Sequence, residues 1–294
     1  MPRTPLLIHS MGKVGSKTIE HACKRLECFD VFHTHALSRM VLEECCRQHD
    51  KLKPHMRNGL RVRREVLETG HPFKLVSATR DPLARNVSAF FQNLETYGFG
   101  KREIDAANGI VAALVSRYPR LSAFLRSLGI SRLVDPVNDM VAMFMRNFPH
   151  SEPAYWFDAE IRDVIGIDLL AEPFDPEVGY ATYAIGASSV LVLQVELPDA
   201  RKEAVLRDFL QTPSLRLEQS NVGSQKGYAK AYRRFRAGIE FATEFLDEIY
   251  GSRYARHFYS AQQLEGFRAR WRVRGAGSVS AVTMPVSQGA SAAR

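Results

Sequence analysis

LLIHSMGKVGSKTIEHAC, residues 6–23, is the stretch on which the fold turns. Its first four residues, 6–9, form a short mostly apolar run that reads as a buried strand. A turn rich in Gly, Lys and Ser follows. Residues 16–28 then carry Ile19, Ala22, Cys23 and Leu26 at helical spacing on one face. A loop between a strand and a helix N-terminus offers backbone N–H groups and the positive helix end to an anion. An ATP-binding loop would read GxxxxGK[ST]. Here Ser16 separates Gly15 from Lys17-Thr18, and Ser10 stands where the first glycine belongs. The ATP pattern therefore fails, and the plainer alternative is a Gly-Ser turn capped into a helix.

Outward from this unit, residues 29–33 predict a second strand. A mixed-sign helical stretch follows, carrying Arg47, Lys51, Lys53, Arg57, Arg61, Arg63 and Arg64 among Glu43, Glu44, Glu65 and Glu68. Interspersed signs point to a solvated helical face rather than a nucleic-acid stripe. Residues 73–79 read as a third strand closed by Asp81-Pro82, with helical spacing over 83–94. The segment 100–150 reads as mostly helical with breaks near Pro119 and Pro136. A β-branched strand covers 190–195, and helices are expected over 200–210 and about 228–250. Strands alternating with helices indicate an α/β fold around a central parallel sheet. Residues 1–274 are expected to form one domain. The Ser/Gly/Ala-rich residues 275–294 are expected to be a disordered tail.

Forty Lys and Arg against 32 Asp and Glu give a formal charge of +8, which favours anionic ligands without choosing among them. No window approaches the roughly 18 apolar residues of a membrane helix, and the start lacks a signal-peptide core. The expectation is a cytoplasmic protein without stable membrane insertion. Cys23, Cys28, Cys45 and Cys46 have no CxxC spacing and read as reduced thiols, with no metal expected.

The run Lys13-Val14-Gly15-Ser16-Lys17-Thr18 resembles the 5′-phosphosulfate loop of sulfotransferases that use 3′-phosphoadenosine 5′-phosphosulfate (PAPS), typically PKxGTT or PKVGST. Gly12 replaces the usual proline, and Lys17 stands where a small hydroxyl residue is common. A second element, TRDPLARNVSAFFQ, resembles the 3′-phosphate motif of the same superfamily, with Arg80 at a strand end and Ser88 in the next helix. A guanidinium grips a phosphate bidentately, and a helix hydroxyl adds a hydrogen bond. Asp81 and Pro82 also suit a helix N-cap and N1, and both roles can hold together. LVLQVELP is similar to a later sheet strand of these enzymes. In NVGSQKGYAKAY, Lys226 and Gly227 match a Lys-Gly pair of the loop over the nucleotide, with Gln225 replacing a common arginine. Residues 154–161 and 250–271 resemble a bacterial subfamily linked by description to capsular polysaccharide synthesis. The likeness covers about residues 5–272 and implies a three-layer P-loop-type fold with a helical insertion.

The resemblance implies PAPS as co-substrate and adenosine 3′,5′-bisphosphate (PAP) as product. Lys13 would face the leaving group, while Gly15, Ser16, Lys17 and Thr18 would hold the 5′-phosphate. A base is needed for the incoming hydroxyl, and histidine suits neutral pH. VFHTHAL places His35 and His33 past the second strand, at the edge where ligands bind in such folds. His35 ranks first and His33 second, with Asp158 and Glu160 as carboxylate alternatives. Phe90, Phe91, Tyr97, Phe99, Tyr155, Trp156 and Phe157 could stack on a carbohydrate or small-molecule acceptor, although aromatics at such spacing also build cores. A P-loop small-molecule kinase using ATP is the first rival. It lacks the Gly-Lys-Ser/Thr order and a clear strand-terminal Asp for Mg²⁺. A nucleic-acid module is the second, and no recognition motif supports it. Oligomeric state leaves no signature.

Overall fold

The computed structural model describes residues 3–108, 136–218 and 227–271. Strand β1 (Thr4–His9) is an interior strand of a five-stranded sheet, as suits its Leu6, Leu7 and Ile8, which are apolar in succession and at most 1% exposed. Such uninterrupted apolar runs suit strands covered on both faces. Helix α1 (Ser16–Cys23) follows the loop, then β2 (Phe29–Thr34), α2 (Arg39–Gln48) and α3 (Pro54–Val62). β3 (Lys74–Thr79) leads into α4 (Pro82–Gln92), and β4 (Tyr180–Ile185) and β5 (Ser188–Gln194) complete the sheet. The strand order is β2-β1-β3-β5-β4. β1 pairs in parallel with β2 and β3, and β3 with β5, so these four carboxyl ends share one edge.

The architecture is thus mixed α/β with a mostly parallel sheet. β4 was missed by the sequence reading and runs antiparallel to β5 as an edge strand. Ile185 and Ser188 pair directly, leaving a two-residue turn in which Gly186 takes φ 57°. That left-handed geometry is the one tight hairpins need. The helix expected over 16–28 ends at Cys23. Its continuation tightens into 3₁₀-type bonds, Arg25 N–H to Ala22 O and Leu26 N–H to Cys23 O, to re-enter the sheet at Phe29. The helix expected over 228–250 is two helices, Ala229–Gly238 and Thr243–Tyr250. Gly238 weakens the first, and Ile239 turns extended at φ −92°, ψ 128°. The mixed-charge stretch is likewise α2, α3 and a π-turn (Arg63–Leu67).

The described residues fall into two compact units. The first, residues 3–89, 150–218 and 249–265, holds the sheet. The second, residues 90–108, 136–149, 227–248 and 266–271, packs phenylalanines from several helices. Phe90 lies 5.3 Å from Phe144, Phe91 5.1 Å from Phe235, and Phe144 5.6 Å from Phe235, centroid to centroid. These spacings are ordinary for edge-to-face aromatic packing. Asn108 fastens the second unit's chain, donating to Gly227 O (2.6 Å) and accepting from Ala231 N–H (2.8 Å). The break expected near Pro119 and the expected tail lie outside the described residues. Pro136 is the first described residue of the helix Pro136–Asn147. Among the described residues no helix is long and apolar enough to cross a membrane.

Candidate functional site

The loop between β1 and α1 is held in an unusual backbone shape. Lys13 has φ 75° and Gly15 φ 76°, both left-handed. Gly15 suits that region because it has no Cβ, and an added Cβ would sit 3.0 Å from Val195 Cγ2. Lys13 lacks the glycine exemption, so its conformation carries a cost of about 1–3 kcal/mol that surrounding bonds must offset. Two arginines supply those bonds. Arg80 donates from Nη1 to the Lys13 carbonyl (2.7 Å), and Arg85 from Nε to the Gly12 carbonyl (3.0 Å). Arg85 is itself clamped by Glu152 through two bonds of 2.7 and 2.6 Å and reaches Asn86 Oδ1 at 3.1 Å. Both carbonyls are thus drawn toward arginines, and the loop leads directly into the amino end of α1.

Asp81 caps α4 as its position suggests, accepting from the N–H groups of Leu83 (3.0 Å) and Ala84 (3.2 Å) and from Tyr250 Oη (3.0 Å). Tyr254 Oη brackets the Arg80 main chain, accepting from its N–H (2.9 Å) and donating to its carbonyl (2.8 Å). Glu196, just past β5, accepts from Asp81 N–H (2.7 Å) and Tyr259 Oη (3.1 Å); burial raises its carboxyl above the ordinary range. These contacts fix the backbone from which the Arg80 guanidinium reaches the loop. Ser88 lies two turns into α4 and is half-buried.

On the other flank, β2 delivers two histidines with different fates. His33 is 2% exposed, with Nε2 3.0 Å from Ser16 Oγ and Nδ1 3.0 Å from Glu20 Oε2. His35 bonds through Nδ1 to the Ser10 carbonyl at 2.6 Å. A carbonyl only accepts, so Nδ1 carries the proton and Nε2 presents a lone pair. Burial, with His33 nearby, lowers the His35 ring to about 3, so it is neutral through the ordinary pH range. The His33 and His35 rings meet edge to face at 4.6 Å, and His55 of α3 lies 5.0 Å from His35.

Behind them lies a group that the sequence reading did not single out as such. His9 ends β1 fully buried, 4.9 Å from the Trp156 ring, while Trp156 Nε1 donates to the His35 carbonyl (3.2 Å). Glu160 stands 3.7 Å from His9, too far for a hydrogen bond. Burial lowers His9 to about 3 and raises Glu160, so the two are not an ion pair at neutral pH. Glu160 instead accepts the N–H groups of Leu37 and Ser38, which close the turn after β2.

The predicted residues divide accordingly. Lys13, Gly15, Ser16, Thr18, Arg80, His33 and His35 gather at the carboxyl edge of β1, β2 and β3. Lys17 is more than half exposed and folds onto Glu20 at 2.7 Å, away from a loop-facing role. Gly227 belongs to the second unit, and Lys226 lies outside the described residues. Asp158 is paired with Arg162 at 2.7 Å. Of the aromatics considered for an acceptor, Phe90, Phe91, Phe99, Trp156 and Phe157 are buried packing groups, 5% exposed at most, whereas Tyr155 is half exposed. Arg85 and Glu20 were missed. A charged residue one helical turn from Ser16, amid the apolar face of α1, was the available signal for Glu20. Among the described residues no cluster of three or more His, Cys, Asp or Glu is placed to hold a metal ion.

Fold and site together define an α/β protein with a left-handed, arginine-tied loop at the carboxyl edge of a mostly parallel sheet. Residues 132–260 match the profile of a family described as "Putative capsular polysaccharide synthesis protein". That match takes in β4, β5 and the helices Glu152–Phe157 and Arg253–Phe258, and leaves out the loop and Arg80. Comparisons with curated proteins and with solved structures returned no match.

Proposed function

We propose that this protein is a sulfotransferase that uses PAPS and modifies a hydroxyl of a carbohydrate acceptor. The observation that carries the reading is the bond from Arg80 Nη1 to the Lys13 carbonyl, 2.7 Å. It joins two sequence elements 67 residues apart, each with the character of a phosphate site. The carbohydrate acceptor draws its support from the family description alone.

PAPS supplies the sulfuryl group and departs as PAP. The loop residues Gly15, Ser16 and Thr18, at the amino end of α1, would hold its 5′-phosphate. Arg80, with guanidinium donors beyond the one given to Lys13, would hold the 3′-phosphate together with Ser88. Lys13 would set a positive charge against the leaving phosphate. His35, its tautomer fixed by Ser10, would take the proton of the incoming hydroxyl at Nε2. His33 serves this role less well, since both ring nitrogens are engaged.

The reading is tested by thermal unfolding with PAP or with Mg-ATP. PAP at a hundredfold excess over its Kd should add about 2.7 kcal/mol, and Mg-ATP much less. Stabilisation by Mg-ATP alone would transfer the protein to the kinase class.

A further inference from the structure

We propose that Tyr254 and Tyr259 are positioning residues for the Arg80 guanidinium, and through it set the affinity for the 3′-phosphate of PAP. The proposal rests on the reading of Arg80 as holding that phosphate. Its basis is where the main chain around Arg80 finds its hydrogen bonds.

β3 ends at Thr79 and α4 begins at Pro82, so Arg80 and Asp81 belong to neither strand nor helix. A main-chain N–H and C=O away from water must still be paired. Tyr254 pairs both groups of Arg80 with one hydroxyl, which accepts from the N–H at 2.9 Å and donates its own proton to the carbonyl at 2.8 Å. The directions are fixed, since an N–H only donates and a carbonyl only accepts. Burial raises the phenol above its ordinary value, which keeps that proton in place. One hydroxyl therefore holds the peptide planes on both sides of the Arg80 Cα, and with them the direction in which the side chain leaves.

The residues on either side are held from the same segment. Tyr259 Oη lies 3.1 Å from Glu196 Oε2 and 3.3 Å from Thr79 Oγ1, and Glu196 in turn accepts the Asp81 N–H. Tyr250 Oη donates to Asp81 Oδ1. Residues 79–81 thus each meet a hydroxyl from residues 250–259, all within the sheet unit. The three tyrosines are at most 2% exposed. Phenylalanine would fill much the same volume with no hydroxyl to satisfy, so three buried phenols on three successive residues point to placement rather than packing. The three lie within residues 132–260, the part matched by the family profile, whereas Arg80 lies outside it. Placement matters at Arg80 because Nη1 is committed to the Lys13 carbonyl at 2.7 Å, and the rigid fork then aims its remaining donors in a fixed direction.

The test is calorimetric titration of the full chain with PAP and with adenosine 5′-monophosphate, which lacks the 3′-phosphate. Wild type should bind PAP about 10–100-fold more tightly, as a charge-assisted bond pair would give. Tyr254→Phe should lower that ratio by about tenfold and Tyr259→Phe by about threefold, as expected of a displaced guanidinium, with monophosphate affinity unchanged. In an Arg80→Ala background neither tyrosine variant should lower the ratio further. Leu206→Ala, in the helix Asp199–Leu210 and outside these bonds, should lower the unfolding temperature and leave the ratio as in wild type. A ratio unchanged in the tyrosine variants, or lowered equally by Leu206→Ala, overturns the proposal and leaves the phosphate-site reading standing. If Tyr254→Phe does not fold, Tyr259→Phe decides alone. Equal binding of the two nucleotides by wild type, or no binding of PAP, defeats the reading beneath it and the proposal with it.

Discussion

The two units solve the problem of an interior in opposite ways. Among the described residues, every buried polar or charged one, from His9 through Arg85 to Gln194, belongs to the sheet unit. The buried residues of the second unit are apolar, led by Phe90, Phe99, Phe144 and Phe235. Aromatic packing is the cheaper route to stability, because buried polar groups contribute little net energy even when satisfied and cost about 1–3 kcal/mol when they are not. Polar burial concentrated at one sheet edge therefore marks a region shaped by something besides folding.

The largest expected effect tests the polar side of this contrast. His35→Ala should lower sulfuryl transfer by about 10²–10⁴-fold while leaving PAP binding intact by calorimetry. An active variant would remove His35 from the reacting groups. On the apolar side, Phe144→Ala should cost about 4 kcal/mol in urea unfolding. A loss below about 1 kcal/mol would mean that the aromatic core is not close-packed.

Glu152→Ala should cost about 3 kcal/mol, since it strands Arg85, whose side chain is 4% exposed. Unfolding measured for Glu152→Gln, which keeps an acceptor, should recover part of that loss, and equal losses in the two variants would show that charge does not matter there. The smallest effect is a pH slope. His9 is held neutral down to about 3, whereas the unfolded chain takes up its proton below about 6.5. Between these values the unfolded state binds more protons, so stability falls as pH falls, by about 1.4 kcal/mol per pH unit for this ring. His9→Gln should flatten the profile by that amount between pH 6 and pH 4, and an unchanged slope would show that His9 is charged in the fold.

What could be read from the chain alone follows the range of the forces involved. β1, the loop, β3 and the Asp81 cap were legible because each depends on neighbours within a few residues. β4 was not, because its half-buried Tyr180, Tyr183 and Ile185 acquire meaning only beside β5. The same holds for the site. Lys13, Gly15 and Arg80 stood out as motif letters, whereas the tie of Arg85 to Gly12 spans 73 residues and that of Glu160 to Leu37 spans 123. The ranking of His35 over His33 rested on strand alternation. The physical distinction between them is a tautomer fixed by the Ser10 carbonyl, which no spacing encodes.

Lys13 in its left-handed backbone has a consequence for anyone engineering this protein. Replacement by glycine removes the penalty that its Cβ carries there, about 1–3 kcal/mol, so a screen scoring heat resistance alone would favour Lys13→Gly. The variants it enriched would have lost the side chain offered here to the leaving phosphate. Selection at this position must therefore score turnover, with robustness as the second criterion.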